Sequence, residues 1–199
     1  MYSQVNPGRA RGVTLLFSLQ LLCLLAGAQV KYSGTSVDLL ISGTSTLHDW
    51  TMKSVKADCS ANFSFSPNGQ ISGLTSLSFS TPVSALKSEH TGMDNNAYKA
   101  LRSDIDPVIS YTLTSVTVTP AAGGGSNVIC MGKLTIAGTT RDAQIKTVCK
   151  PNNDNTMTVS GSEKISMKDF SIDPPTFMLG RIKTGNDITL SFNLILKRA

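Results

Sequence analysis

The sequence predicts an all-β protein whose antiparallel sheet wraps an apolar interior, and three observations carry that prediction. Ile188, Leu190, Phe192, Leu194 and Leu196 occupy every second position. A strand sends successive side chains to opposite faces, so this one is apolar on one side and wet on the other. Similar alternation recurs along most of the chain, broken by turn chemistry such as Pro67-Asn68-Gly69, as antiparallel strands require. Only one segment departs to a helical period. Some eight or nine strands and one short helix can bury the apolar face by closing into a barrel, which removes exposed edges. A sandwich is the competing architecture, and a barrel of about eight strands is either filled by side chains or wide enough for one ligand.

The first residues belong to targeting. Arg9 and Arg11 precede an apolar run from Val13 to Leu25, and Ala26-Gly27-Ala28 offers a small-x-small cleavage site, which together read as a secretory signal peptide over residues 1–28. The run is shorter than the roughly 18 residues of a membrane span, which leaves an uncleaved anchor as the runner-up, and no other segment could span one. Leu22 before Cys23 stands where a lipobox needs a small residue. Residues 29–199 then form one domain of a length that buries a real core. Removal of the two arginines takes the formal charge from +5 to +3. The remaining basic residues are scattered, which argues against nucleic acid as a partner.

Along this domain, Val37–Ile41 and His48–Val55 read as strands. Ala57, Cys59, Ala61, Phe63 and Phe65 alternate up to the turn at 67–69, and Ile71, Leu77, Phe79 and Val83 continue on odd positions. Thr91 and Asp94 have the spacing of a helix N-terminal cap, with Met93, Ala97, Ala100 and Leu101 forming one apolar stripe that must cover something apolar. Asp106-Pro107 ends the helix, and Val108–Val118 returns as a strand carrying Tyr111 and Leu113. The stretch from Pro120 through Gly123-Gly124-Gly125 to Ser126 is a loop between neighbouring strands. Met157, Val159, Ile165 and Met167 mark another strand. The adjacent Pro174 and Pro175 preclude a regular central strand after it. Phe170, Ile172, Phe177, Met178 and Leu179 put five large apolar groups on that loop, and they are expected to fold over the end of the sheet.

An exported protein meets oxidising conditions, so two of Cys59, Cys130 and Cys149 are expected to pair. With Thr139-Thr140 as a hairpin tip, Cys130 faces Cys149 at about 4.5–5.5 Å between Cα atoms, within disulfide reach. Three buried free thiols are the alternative. Cys59 stays unpaired in either case.

Taken together, Gly43-Thr-Ser-Thr-Leu-His-Asp-Trp50, Gly132-Lys-Leu-Thr-Ile-Ala-Gly-Thr-Thr-Arg141, Met167-Lys-Asp-Phe-Ser-Ile-Asp-Pro-Pro175 and Ile182-Lys-Thr-Gly-Asn-Asp-Ile-Thr-Leu190 resemble the YceI-like family of exported proteins. The likeness covers essentially the whole of residues 29–199. It implies a lipocalin-like antiparallel barrel capped by one short helix, with an elongated apolar cavity that holds a polyisoprenoid or an isoprenoid quinone. It also implies binding rather than catalysis, and a periplasmic or secreted location without integral membrane segments. The Arg-Asp pair and His that better-known members carry near the cavity mouth are replaced here by Met93-Asp94-Asn95-Asn96-Ala97-Tyr98, so no head group carries over.

An isoprenoid tail is a hydrophobic load of about 25 cal/mol per Å² removed from water, and its site needs apolar walls with few polar anchors. The wall candidates on strands are Trp50, Met52, Phe63, Phe79, Tyr111 and Leu134. Candidates around the helix are Leu86, Met93, Tyr98 and Leu101, and those on the Pro-Pro loop are Phe170, Phe177 and Met178. For the head group, Arg181 beside the apolar loop leads, ahead of Arg102, Arg141, Lys164 and Lys183, with His48 as a hydrogen-bonding partner. His48 and Asp49 are adjacent on a strand and point to opposite faces, which disfavours a catalytic dyad. Two distant histidines with no Cys-x-x-Cys spacing disfavour a metal site. No nucleophile elbow or phosphate loop is present, so neither an enzyme nor a cofactor is expected. An isoprenoid or other long-chain lipid is the expected partner. The competing reading is a filled barrel acting through contacts with an envelope protein.

Overall fold

A computed structural model describes Met1 and residues 29–199; Met1 aside, the expected signal peptide lies outside the described residues. Among the described residues the strands are β1 (Gln29–Ser45), β2 (Trp50–Ser54), β3 (Asp58–Phe65), β4 (Ile71–Pro82), β5 (Val108–Pro120), β6 (Ser126–Ile136), β7 (Thr139–Pro151), β8 (Thr156–Ser166), β9 (Thr176–Phe177) and β10 (Ile182–Arg198), with one α-helix, α1 (Thr91–Ala100), between β4 and β5. Eight strands close antiparallel into a barrel in the order β1-β3-β4-β5-β6-β7-β8-β10. The seam is β1 against β10, from Tyr32 opposite Arg198 to Ser45 opposite Thr184. The all-β barrel expected from the alternation is therefore the fold. β2 pairs with the distal part of β1, Leu39 opposite Ser54 through Gly43 opposite Trp50, and β9 adds a two-residue edge to β10.

Three local features depart from the sequence reading. β1 starts at Gln29 rather than Val37, because its polar first half pairs with β3 from Gln29 opposite Ser64 to Ser33 opposite Ser60. A register shift between Gly34 and Ser36 then carries the strand on as a bulge. In β4 and β5 further shifts, between the pairs Asn62/Phe63 and Leu113/Ser115, swap the inward parity. Leu74 is thereby buried alongside the odd residues of β4, and Val116 and Val118 follow Tyr111 inward.

The third departure corrects the disulfide. The β6–β7 hairpin turns at Ala137-Gly138, with Ile136 opposite Thr139, not at Thr139-Thr140. Both turn residues have positive φ, 48° at Ala137 and 74° at Gly138, the geometry whose twist matches that of the flanking strands. Cys130 consequently lies opposite Ile145 and Cys149 opposite Ser126. Cys59, Cys130 and Cys149 are all free and buried.

The two barrel ends differ. Where β1 begins and β3 ends, Tyr32 meets Phe63 edge to face with ring centroids 5.6 Å apart, and Phe65 tilts against both. Burial of such rings combines large apolar area with directional contacts. Met157, fully buried, packs into the same core. The opposite end carries the β1–β2 connection, α1 and the 167–184 segment. That end holds the candidate site.

Candidate functional site

A cavity of about 480 Å³ runs inside the barrel, within the range of small-molecule sites. Its walls are the inward positions of the barrel strands: Leu39 and Ile41 on β1, Phe63 on β3, Phe79 on β4, Tyr111 on β5 and Leu134 on β6 continue round to Val159 on β8 and the 188–196 alternation of β10. No Asp, Glu, Lys or Arg lines it among the described residues. Its polar groups are few, and several lie at the open end, where Ser45 ends β1, His48 comes from the β1–β2 connection, His90 caps α1, Asn96 lies on α1 and Thr184 on β10.

Glycines on the strands shape these walls. Gly43 lies opposite Trp50, and Gly161 opposite Phe192. A Cβ at Gly161 would stand 2.6 Å from the Phe192 Cζ, and one at Gly132 would stand 2.5 Å from the Tyr111 Cζ. Each missing side chain gives a neighbouring ring room to lie against backbone. All three aromatic residues line the cavity.

Helix α1 covers part of the open end with the face the sequence marked, since Met93, Ala97, Ala100 and Leu101 all line the cavity. Thr91 is not its cap; the N-cap is His90 and makes no side-chain capping bond. Asp94 reaches back instead, accepting from the Ser88 backbone N–H and hydroxyl, each at 2.7 Å, with Lys87 Nζ at 3.7 Å. Desolvation pushes the Asp94 carboxyl up, but the two Ser88 hydrogen bonds and the Lys87 charge outweigh it and hold the group below its ordinary value. Tyr98 donates its hydroxyl to the Leu86 carbonyl at 2.7 Å, and Lys87 Nζ lies 5.0 Å from the Tyr98 ring centroid. Lys87 in turn bridges to Lys53 of β2 by backbone hydrogen bonds of 2.7 and 2.8 Å. The helix, the 83–88 strap and β2 are thus tied together around Leu86, which is 2% exposed and lines the cavity.

Of the wall candidates, Trp50, Met52, Phe63, Phe79, Tyr111, Leu134, Leu86, Met93, Leu101, Phe170 and Phe177 all line the cavity. Tyr98 does not, because its ring and hydroxyl are engaged by the strap. Met178 does not either; it is 68% exposed and Leu179 is fully so. The Pro-Pro segment folds inward only through Phe170, Ile172, Pro175 and Phe177. His48 sits at the mouth, with Nδ1 2.6 Å from the Asp49 carbonyl oxygen. Arg181 is exposed and outside the lining. Among the other cations, Arg102 pairs with Asp106 and Arg141 Nε donates to the Asp169 carbonyl at 2.7 Å.

Sequence reasoning passed over the three thiols, Thr81 and Thr147 as lining groups. Alternation marks such positions as inward but does not say that the interior stays open at their depth. Burial pushes the Cys59 and Cys149 thiols up to about 11 and Cys130 up to about 12, with repulsion from Cys149 adding to the first and last. Burial likewise raises the Tyr111 phenol. Protonated thiols in an apolar wall are poor nucleophiles.

Solved structures with this fold come from several bacteria. Burkholderia cenocepacia BcnA superposes with a TM-score of 0.62 at 15% identity, over 80% of this chain and 95% of its own. A polyisoprenoid binding domain from Saccharophagus degradans, implicated in plant cell wall breakdown, gives 0.61 at 12% identity over 85% and 99%. The Campylobacter jejuni YCEI protein gives 0.51 at 19% over 72% and 84%. No curated protein sequence matches the chain. The YceI-like domain matches residues 29–196, nearly the whole described barrel, and the chain belongs to the YceI-like family.

Proposed function

We propose that this protein is an exported lipid-binding barrel that holds a long-chain isoprenoid, of quinone or polyprenyl type, or a similar amphiphile, as a carrier or scavenger in the cell envelope. The observation that carries the reading is a cavity of about 480 Å³ with no Asp, Glu, Lys or Arg in its lining among the described residues. Such a wall offers a ligand apolar burial at about 25 cal/mol per Å² and little else, so affinity scales with the length of the tail. The isoprenoid class is supported by membership of the family and by the polyisoprenoid binding domain that shares the fold. Export, to the periplasm or beyond, is supported by the charged, apolar and small-residue order of residues 9–28.

The chemistry is binding. His48 and His90 line the mouth, and they can hydrogen-bond a head group that stays near solvent. The open interior weighs against a filled barrel acting only through an envelope partner. Organic extraction and mass spectrometry of the protein purified without detergent from its own cells, beside a mock purification, tests the reading. A stoichiometric long-chain species supports it and names the head group. A clean extract, repeated after lipid is offered in excess, rejects it.

A further inference from the structure

The turn between β9 and β10 is built against two preferences at once. Met178, Leu179 and Gly180 have φ of 49°, 56° and 83°, and the Gly180 N–H donates to the Phe177 carbonyl at 3.0 Å. Two successive left-handed residues closing a hairpin turn call for Asn and Gly, because a side chain with Cβ crowds the following carbonyl. This chain places Met and Leu there, and leaves both in solvent, 68% and 107% exposed. Backbone strain of this kind persists only where the surrounding structure holds it in place, and it clusters at functional sites.

The surroundings say what that function meets. Phe177 and Ile182, paired across the turn, line the cavity mouth, so the exposed tip continues the apolar wall outward. Leu47, 65% exposed and also at the mouth, follows Thr46 in the neighbouring connection, which is held to this hairpin by Thr46 N–H to the Lys183 carbonyl at 3.0 Å and Lys183 N–H to Thr46 Oγ1 at 3.1 Å. Arg181 and Lys183 are exposed beside the tip, and the stretch from Thr176 to Thr184 carries no acid. Apolar side chains flanked by cations match the boundary of an anionic bilayer, where the one group enters the acyl region and the other meets head groups.

We propose that the Met178-Leu179 tip, with Leu47 and with Arg181 and Lys183 beside it, docks the cavity mouth on an anionic lipid surface. This rests on the lipid-binding reading for its purpose, since a long-chain cargo resides in membranes and must cross from them to the mouth. The docking is tested separately from the cargo. Residues 29–199 contain the entire closed barrel, so that segment is floated with phosphatidylethanolamine vesicles containing phosphatidylglycerol, and with phosphatidylcholine vesicles. Uptake of cis-parinaric acid in vesicle-free buffer reports the cavity.

The native sequence is expected to float with the anionic vesicles and at least about tenfold less with phosphatidylcholine, the salt-sensitive preference that surface cations confer. Met178→Asn with Leu179→Gly relieves the turn, so the double variant should melt higher than the native protein, take up cis-parinaric acid as before, and lose flotation. Arg181→Ser with Lys183→Ser should lose the preference for anionic vesicles. Failure of the native protein to float, or undiminished flotation of the Asn-Gly variant, overturns the proposal whatever the probe does. Absence of cis-parinaric acid uptake by a protein that floats counts against the cargo reading alone and leaves docking supported.

Discussion

The indole of Trp50 occupies the space that a side chain at Gly43 would need, and its Nε1–H donates to the Thr44 carbonyl at 3.0 Å. The Gly43-to-Trp50 motif is therefore one structural unit, a glycine and the aromatic ring laid over it, at the point where β1 turns into β2. Gly43→Ala sets a methyl against the ring and forces it aside, at a cost of about 1–3 kcal/mol typical of overpacking. Trp50 is the only tryptophan, so its emission reports the change directly. Unaltered emission and an unaltered denaturation midpoint would show that the ring does not depend on the glycine.

Removing the Tyr98 hydroxyl takes away the donor to the Leu86 carbonyl and leaves the ring under Lys87. Tyr98→Phe should cost about 1 kcal/mol. Amide exchange should speed up selectively in α1 and residues 83–88 while β5–β8 keep their protection. Uniform acceleration would show that the strap is not a separate unit.

Asp94 makes the strap sensitive to acid. Its carboxyl is held below the ordinary value in the folded protein, so its contribution to stability is complete above the unfolded value and is lost as pH falls through the lowered folded one. Thermal melts of the native protein and Asp94→Asn should differ at neutral pH and converge in acid. A gap that persists below that window would place the stabilisation elsewhere.

The wall thiols act in the opposite direction. Cys59 and Cys149 are raised from 9.0 to about 11 and Cys130 to about 12, so the folded state favours the neutral form. Their stabilising contribution is full below 9.0 and disappears as pH rises through the folded values. Iodoacetamide at pH 8 should label none of the three at an appreciable rate in the folded protein and all of them after denaturation. Rapid labelling of the native protein would show that the wall opens.

Much of this architecture is legible because period-two burial leaves a mark in composition. The run from Ile188 to Leu196 is inward in the structure as in the sequence, and the stripe on α1 faces the cavity. Bulges leave no such mark. The parity swaps near Thr75 and Thr114 depend on how two strands meet, so burial of Leu74 emerges only from pairing. The hairpin tip is hidden for a related reason: Ala137 takes a left-handed φ that its side chain does not advertise, and a tip at Ala137-Gly138 sets Cys130 opposite Ile145 and not Cys149. Hydrophobicity places Met178 and Leu179 over the end of the sheet with Phe170 and Phe177, whereas the tight turn after Phe177 sends both outward.

Closure of the barrel by β1 against β10 has a consequence for synthesis. The strand that completes the wall is made last, more than a hundred residues after the strand it must find, and loop closure of that length is a slow, late event in folding. Until it occurs the sheet is an open trough with two unpaired edges and an apolar face bare to water. The cavity exists only once β10 has been made, so any ligand it encloses is taken up by the finished barrel and not by the nascent chain.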